Sequence, residues 1–157
     1  MGNLFGALLA RPDLMAEARV DEAARAAIVH ELLRWEGPLA TLPRVAPFDA
    51  IVAGEAVQAG TMLLFGIAAA NRDPRAWPAP DDFDPSRFGR SQEDIVTFGF
   101  GQKFCPGSHL ARRQLVTALD VLLDRLPDLR LIDDTGAAPR GGVLRHPSAL
   151  HVAWERP

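Results

Sequence analysis

The sequence predicts a mainly helical α+β chain with a small antiparallel β-sheet. Three observations predict this class. Apolar residues recur at helical spacing in the first 35 residues and again after residue 107, and short β-like runs lie between them. A proline-rich stretch without regular periodicity precedes the last long helix. The length of 157 residues fits one ordinary domain.

Three helices are predicted at the start of the chain. NLFGALLA resembles the tail of a longer helix, because no capping residue precedes it. Pro12 breaks this pattern and begins a second helix that runs to about Arg19. Asp21 is the predicted N-cap of a third helix, EAARAAIVHELLRW, which Gly37-Pro38 ends.

The middle of the chain changes character. Between Leu42 and Phe65, short β-like runs are separated by Ala53-Gly54 and Ala59-Gly60, a punctuation that predicts hairpins and a small antiparallel sheet. Residues 71–97 then hold four prolines and no sustained period. An irregular stretch of this length inside a domain is often functional.

The last part contains the clearest amphipathic helix of the chain. In SHLARRQLVTALDVLLDRLP, apolar residues recur at intervals of three and four. They are Leu115, Leu119, Leu122 and Leu126. Short strands and loops are expected from Asp128 onward.

Composition excludes several classes of protein. The net charge is −3 and the basic residues are scattered, so we expect no nucleic-acid partner. The longest apolar run near the start, Leu4 to Ala10, is far below the roughly 20 residues needed to cross a bilayer, and it lacks the features of a signal peptide. We therefore expect a soluble cytoplasmic protein without a membrane partner. With one cysteine, it has no internal disulfide.

That single cysteine, Cys105, lies in a glycine-rich loop, FGFGQKFCPG, rather than inside a regular element. Gly99, Gly101 and Gly107 leave space around the sulfur and allow positive φ. The helix that begins near Gly107 points its positive end at the sulfur, and Pro106 has no N–H to donate to it. The pattern is typical of a metal ligand.

The lack of further ligand residues near Cys105 indicates which kind of metal site this is. A zinc site needs three or four protein ligands, and Cys105 with His109 nearby does not supply them. A porphyrin already supplies four nitrogens to iron, so that one axial thiolate is enough.

A second pattern lies on the third predicted helix. Glu31 and Arg34 are three residues apart, and therefore on one face, among apolar neighbours. An exposed pair of this kind contributes roughly 0 to 1 kcal/mol. A partly buried pair fits the apolar surroundings better, and it needs further hydrogen-bond partners.

These stretches together resemble the cytochrome P450 family. Phe98-x-x-Gly101-x-Lys103-x-Cys105-x-Gly107 is similar to its haem-binding signature, and HELLRW contains its E-x-x-R motif. PAPDDFDPSRF, LPRVA, NRDP (Asn71 to Pro74) and LAR (Leu110 to Arg112) follow in the family's order and spacing.

The resemblance implies the fold, the cofactor and the roles of site residues. The fold would be the C-terminal haem-binding half of the cytochrome P450 fold, with residues 1–157 as a single partial domain. The cofactor would be haem b (iron protoporphyrin IX), with Cys105 as axial iron ligand and Arg44 beside a propionate. Glu31, Arg34 and Arg87 would form a structural triad. The residues that would bind the cofactor are Arg44, Phe98, Gly101, Lys103, Cys105 and Gly107.

Lys103 departs from the family pattern, which usually has His or Arg toward a propionate. Lysine keeps the positive charge but loses the planar donor geometry, so we expect weaker haem retention.

The resemblance covers only the C-terminal part of the family. The substrate-pocket helices and the central helix with its acid and alcohol pair have no counterpart, and no A-G-x-x-T-T-like stretch is found. The chain would then be part of a bacterial-type soluble monooxygenase that oxidises a small organic substrate with O2 and electrons from a ferredoxin-like donor. Two alternatives stay open: a non-catalytic haem-binding remnant, or a module that completes a separately encoded N-terminal half. We expect no monooxygenase activity from the isolated chain.

The remaining candidates have structural interpretations. Arg112 and Arg113 fit either a docking face for an acidic electron donor or a solvated helix face. The three tryptophans are expected to pack, and the four histidines to have structural or solvent roles. These residues are Trp35, Trp77, Trp154, His30, His109, His146 and His151.

Overall fold

The computed structural model describes residues 1–87 and 95–155 of the chain. Five α-helices, three strand pairs and two 3₁₀ turns are found in these ranges. They are α1 (Gly2–Leu9), α2 (Pro12–Val20), α3 (Glu22–Trp35), β1 (Thr41–Val45), β2 (Ala50–Val52), β3 (Glu55–Val57), β4 (Met62–Gly66), α4 (Ile67–Ala70), the 3₁₀ turns Pro85–Arg87 and Gly101–Lys103, α5 (Ser108–Arg125), β5 (Arg130–Asp133) and β6 (His151–Ala153). The predicted mainly helical α+β class is confirmed.

Helix α3 lies at the centre of the packing. It contacts α1, α2, α5 and the turn at Pro85–Arg87, and every residue from 28 to 34 is buried. The predicted N-cap is confirmed, since the Asp21 carboxylate accepts a hydrogen bond from the amide of Ala23 at 2.8 Å. A helix buried on several sides shows little polar surface in its sequence.

The helices around α3 share one apolar core. Pro12 is the first residue of α2, as predicted, and its fixed φ suits that position. Arg25 joins α3 to α5 through a 2.9 Å ion pair with Asp120. The largest fully buried apolar side chains of the core are Leu4, Leu8, Ile28, Val29 and Leu119.

The strands form three two-stranded sheets instead of one small sheet. Strands β2 and β3 form the hairpin predicted at Ala53-Gly54, whose φ angles of +52° and +90° suit a tight mirror-image turn. Ala59-Gly60 does not join paired strands, so that the second predicted hairpin is wrong. The amide of Gly60 instead donates to the carbonyl of Ala46, and β4 pairs with β1 across the hairpin.

The β1–β4 sheet has two different faces. Side chains alternate along a strand, and directly paired residues share a face. One face carries Leu42, Arg44 and Phe65, which line the cavities described below. The opposite face carries Pro43, Val45, Met62 and Leu64, all exposed.

The proline-rich stretch is irregular in its described part. Residues 71–87 contain one 3₁₀ turn, Pro85–Arg87, and they lie against α3. The last residue of the PAPDDFDPSRF motif, Phe88, and the following residues to 94 lie outside the described residues. Within the described ranges, no helix combines the length and the apolar character that a membrane span requires.

The tryptophans differ in their surroundings. Trp77 is buried and packs under the guanidinium of Arg34, whereas Trp35 is half-buried between Arg11 and Arg72. Trp154 is 46% exposed, so the predicted packing role is wrong for this residue. It follows β6 at the edge of a two-stranded sheet, where little covers it.

Candidate functional site

The cysteine loop is shaped by its own backbone. The amide of Cys105 donates to the carbonyl of Phe98 at 2.9 Å, which brings the two ends of the loop together. Gly99 and Gly101 have φ of +78° and +62°, conformations that residues with a Cβ rarely adopt. The two glycines therefore allow the chain to reverse and present Cys105 beside Phe98.

The Cys105 side chain is exposed and lines a cavity of about 570 Å³. A Cβ at Gly107 would lie 3.8 Å from the sulfur, at ordinary van der Waals contact. Helix α5 begins at the next residue, and the Ser108 amide donates to the Cys105 carbonyl at 3.2 Å. Hydrogen bonds thus hold the backbone of Cys105, and its side chain is accessible from the cavity.

Two cations, Arg44 and Lys103, line the same cavity from β1 and from the Gly101–Lys103 turn. Both also line a neighbouring cavity of about 410 Å³. Neither forms a salt bridge within residues 1–87 and 95–155. Two positive charges without a carboxylate partner are suited to bind an anionic group of a ligand.

Arg112 lies on the inner side of the cysteine loop and is only partly exposed. Its guanidinium carbon lies 5.1 Å from the centre of the Phe98 ring, which in turn makes an edge contact with Phe104. This stacking arrangement favours a structural role for Arg112. Arg113 is exposed and remains accessible on the helix surface.

His30 is buried in α3. Burial lowers the pKa of this imidazole, the charge of Arg112 lowers it further, and Glu31 opposes both effects. A lowered pKa favours the neutral ring at neutral pH, which suits a side chain packed in the interior.

The structure brings Glu31, Arg34 and Arg87 together. Arg34 donates from Nη2 and Nε to the two oxygens of Glu31 at 2.7 and 2.8 Å, and both side chains are 1% exposed. The Nε of Arg87 lies 3.5 Å from Glu31 Oε1, at ion-pair distance but without hydrogen-bond geometry. The two arginines therefore share one buried carboxylate.

Arg34 and Glu31 fasten the irregular stretch to α3. Arg34 donates to the carbonyls of Asn71, Pro80 and Asp82 at 2.9 to 3.0 Å. The amide of Asp84 donates to Glu31 at 2.9 Å. A stretch without regular ladder bonds thus has its backbone groups satisfied by buried side chains.

Sequence reasoning missed several residues around the cavity. Arg145 and His146 line it from a segment that lies against residues 38–41, and Asn3 lines it from α1. Arg145 is held by Glu36 at 2.7 Å, which raises the pKa of the arginine. No local spacing connects residues 3, 36 and 145, so that only the tertiary structure could identify them.

Comparison with known proteins decides the family. A sequence model of the family described as cytochrome P450 matches residues 25–134. The chain belongs to the cytochrome P450 family. It is 42% identical over 150 residues to cytochrome P450-SU2 of Streptomyces griseolus and 37% identical to biflaviolin synthase CYP158A1 of Streptomyces coelicolor. These alignments cover 94% and 98% of the chain but only 36% and 38% of the two relatives.

Solved structures show the same cytochrome P450 fold. P450BioI, in a complex with an acyl carrier protein that carries hexadec-9Z-enoic acid, superposes with a TM-score of 0.85 at 32% identity. The superposition covers 98% of this chain and 39% of P450BioI. The chain therefore spans a little more than a third of a cytochrome P450 and has the fold expected for the C-terminal part.

The cofactor of cytochromes P450 is haem b, iron protoporphyrin IX. The residues around Cys105 fit this group in four respects. The cavity volume of about 570 Å³ lies within the roughly 300–1,000 Å³ of cofactor pockets. Leu32, Leu33, Leu42 and Leu115 give it apolar walls, Cys105 offers one sulfur ligand, and Arg44 and Lys103 suit the two carboxylates of the porphyrin.

Proposed function

We propose that the chain is the haem-binding part of a haem-thiolate monooxygenase, which oxidises a small organic substrate with O2 and electrons from a redox partner. The single observation that carries the proposal is the exposed Cys105 at the wall of an apolar cavity that also contains Arg44 and Lys103. In this proposal residues 1–157 are one partial domain. The complete activity requires the remainder of a cytochrome P450.

Each site residue has a defined task in the proposal. Cys105 would be the iron ligand, Gly101 allows the positive φ of the loop, and Gly107 lies next to the sulfur. The side chain of Phe98 packs beside the loop, and its backbone carbonyl accepts a hydrogen bond from the Cys105 amide at 2.9 Å. Haem bound at this site would supply O2 activation, and the Cys105 thiolate would donate electron density to its iron.

The charged residues have two roles in the proposal: two of them bind the cofactor, and three stabilise the fold. Arg44 and Lys103 bind the porphyrin carboxylates through charge-assisted hydrogen bonds. Glu31, Arg34 and Arg87 act at a distance from the cavity by holding the irregular stretch on α3. This division agrees with exposure, because Arg44 and Lys103 are exposed whereas the triad is buried.

The proposed electron donor is a small ferredoxin-like protein. An acidic donor surface would approach the start of α5, where His109 and Arg113 are exposed. Arg112 contributes less to such a surface, since it stacks on Phe98.

A second candidate function is a non-catalytic haem-binding remnant, or a module that completes a separate N-terminal half. The observation that favours the module is the exposed apolar face of the β1–β4 sheet. Val45, Met62 and Leu64 are 60 to 67% exposed there, which is typical of a surface that another segment covers.

The test is haem loading of the full 157-residue chain, with Cys105→Ser as the matched variant. The reduced, CO-treated wild type should show the red-shifted Soret band of thiolate ligation, and Cys105→Ser should lose it. A wild type that binds haem without this band would contradict the proposed ligand. The loaded chain is then mixed with a separately produced N-terminal part of a relative. A thiolate Soret band that is stable only in this mixture indicates a module that completes a separate N-terminal half. A band that is equally stable without the added part argues against the module.

A further inference from the structure

Asn71 is buried at the first residue of the NRDP motif, and both ends of its side-chain amide are used. The side chain is 2% exposed. Its oxygen accepts from the amide of Val96 at 2.9 Å, and its nitrogen donates to the hydroxyl of Thr97 at 2.8 Å. One amide therefore ties the turn after α4 to the segment that enters the cysteine loop.

Thr97 continues this connection to α3. Its hydroxyl donates to the carbonyl of Leu33 at 2.5 Å. Leu33 lies in the last turn of α3, where helix carbonyls lack intrahelical donors. Gly37 also packs closely against Thr97, since a Cβ at Gly37 would lie 2.9 Å from the methyl carbon of Thr97.

The backbone of Asn71 joins this connection to the buried arginine. Arg34 donates to the Asn71 carbonyl at 2.9 Å while it holds Glu31. Arg34, Asn71, Thr97 and Leu33 thus form a closed polar network in which the donors have partners. Such networks fix one arrangement of the segments that they join.

The cysteine loop depends on an anchor of this kind. Thr97 is 6% exposed, whereas residues 100–106 are all exposed and include Gly101 with positive φ. Phe98 follows Thr97 directly, and its carbonyl holds the Cys105 amide. The buried network is therefore the last firm attachment before the loop.

We propose that Asn71 and Thr97 are positioning residues that set the place of the Cys105 sulfur through Phe98. The inference rests on the proposed function only in that Cys105 is the iron ligand. Thr97 lines the cavity that contains Cys105, but neither side chain is proposed as an iron ligand. Their effect is to keep Val96 to Phe98 fixed on α3 so that the loop returns Cys105 to one position.

The test compares Thr97→Val with Thr97→Ser. Valine keeps the shape of threonine and removes the hydroxyl, leaving the Leu33 carbonyl and the Asn71 amide unpartnered. Serine keeps the hydroxyl. Ile28→Val is the control for a general loss of stability, because it removes one methylene from the core and none of the hydrogen bonds of the network.

Two readouts are measured on the full chain. In the haem-free chain, hydrogen exchange of the Cys105 amide should be at least roughly tenfold faster in Thr97→Val than in wild type. After haem loading, Thr97→Val should have a smaller fraction of the thiolate Soret band. Thr97→Ser and Ile28→Val should match wild type in both readouts.

Wild-type behaviour of Thr97→Val in the exchange measurement would overturn the inference. Equal changes in Thr97→Val and Thr97→Ser would also overturn it, because the hydroxyl would not be the cause. Absence of the thiolate band from the wild-type chain would overturn the proposed ligand alone, since the exchange rates still decide whether the network positions the loop.

Discussion

Glu31 is the most heavily used carboxylate of the described residues. It accepts two hydrogen bonds from Arg34 and one from the amide of Asp84, and Arg87 lies at ion-pair distance. A buried ion pair contributes little compared with a well-packed apolar pair, because desolvation offsets the attraction. Removal of one partner is strongly destabilising, however, because it leaves a buried charge without compensation.

We expect Glu31→Gln to lower the free energy of unfolding by about 3–5 kcal/mol, the usual effect of breaking a buried pair. Urea denaturation followed by circular dichroism measures it. The control is Asp73→Asn, which removes an exposed pair in which hydrogen bonds from Arg75 lower the pKa of the carboxyl to about 2. A Glu31→Gln protein as stable as Asp73→Asn would contradict the structural role of the triad.

Lys103 lies at the wall of the cavity that contains Cys105. A lysine at the cavity wall binds a carboxylate as a point charge, whereas arginine offers a planar fork with several donors. We expect Lys103→Arg to slow haem dissociation several-fold, measured by transfer of haem to apomyoglobin. Lys103→Gln, which removes the charge, should accelerate it, and equal rates for all three proteins would refute the role of Lys103.

At the scale of elements, the segment 140–146 closes one side of the cavity. Its backbone pairs with residues 38–41, and Arg145 and His146 line the cavity. Gly141 has φ of +125°, and a Cβ at this position would collide with the carbonyl of Leu144. The segment therefore depends on one glycine for both its conformation and its closure.

Gly141→Ala should destabilise the chain by more than about 1 kcal/mol, since alanine neither tolerates this φ nor fits the space. Gly142→Ala is the matched control, because a Cβ there meets no atom within 4 Å. Thermal unfolding of both variants measures the difference. Similar melting temperatures for the two variants would show that the segment adjusts freely.

Local sequence patterns predicted the elements whose signals lie close together. Pro12, the Asp21 cap and the Ala53-Gly54 hairpin are examples. The pairing of β1 with β4 was not predicted, because it joins residues up to 25 positions apart across an intervening hairpin. The hydrogen bond between Asn71 and Thr97 was not predicted for the same reason, because these two residues are 26 positions apart in the sequence.

At the scale of the whole molecule, the described residues include many large apolar side chains that are exposed. The exposed face of the β1–β4 sheet is one contiguous part of it, formed by Pro43, Val45, Met62 and Leu64. Larger apolar patches usually mark a surface that is covered by another segment or another protein. The share of the relatives' length that the chain spans agrees with this interpretation.

We expect the isolated chain to self-associate through this face. Replacing both Met62 and Leu64 with threonine should shift it toward the monomer, measured by sedimentation velocity over a range of concentrations. Val20→Thr is the control, since Val20 is 87% exposed on α2 and lies outside this sheet. An unchanged distribution in the double variant would mean that another surface drives association.

X-ray absorption at the iron edge tests the central claim most directly. Haem-loaded wild-type chain should show one sulfur scatterer in the first coordination shell of iron, and Cys105→Ser should replace it with a nitrogen or oxygen scatterer. Iron surrounded only by nitrogen and oxygen in the wild type would contradict the assignment of Cys105 as the ligand.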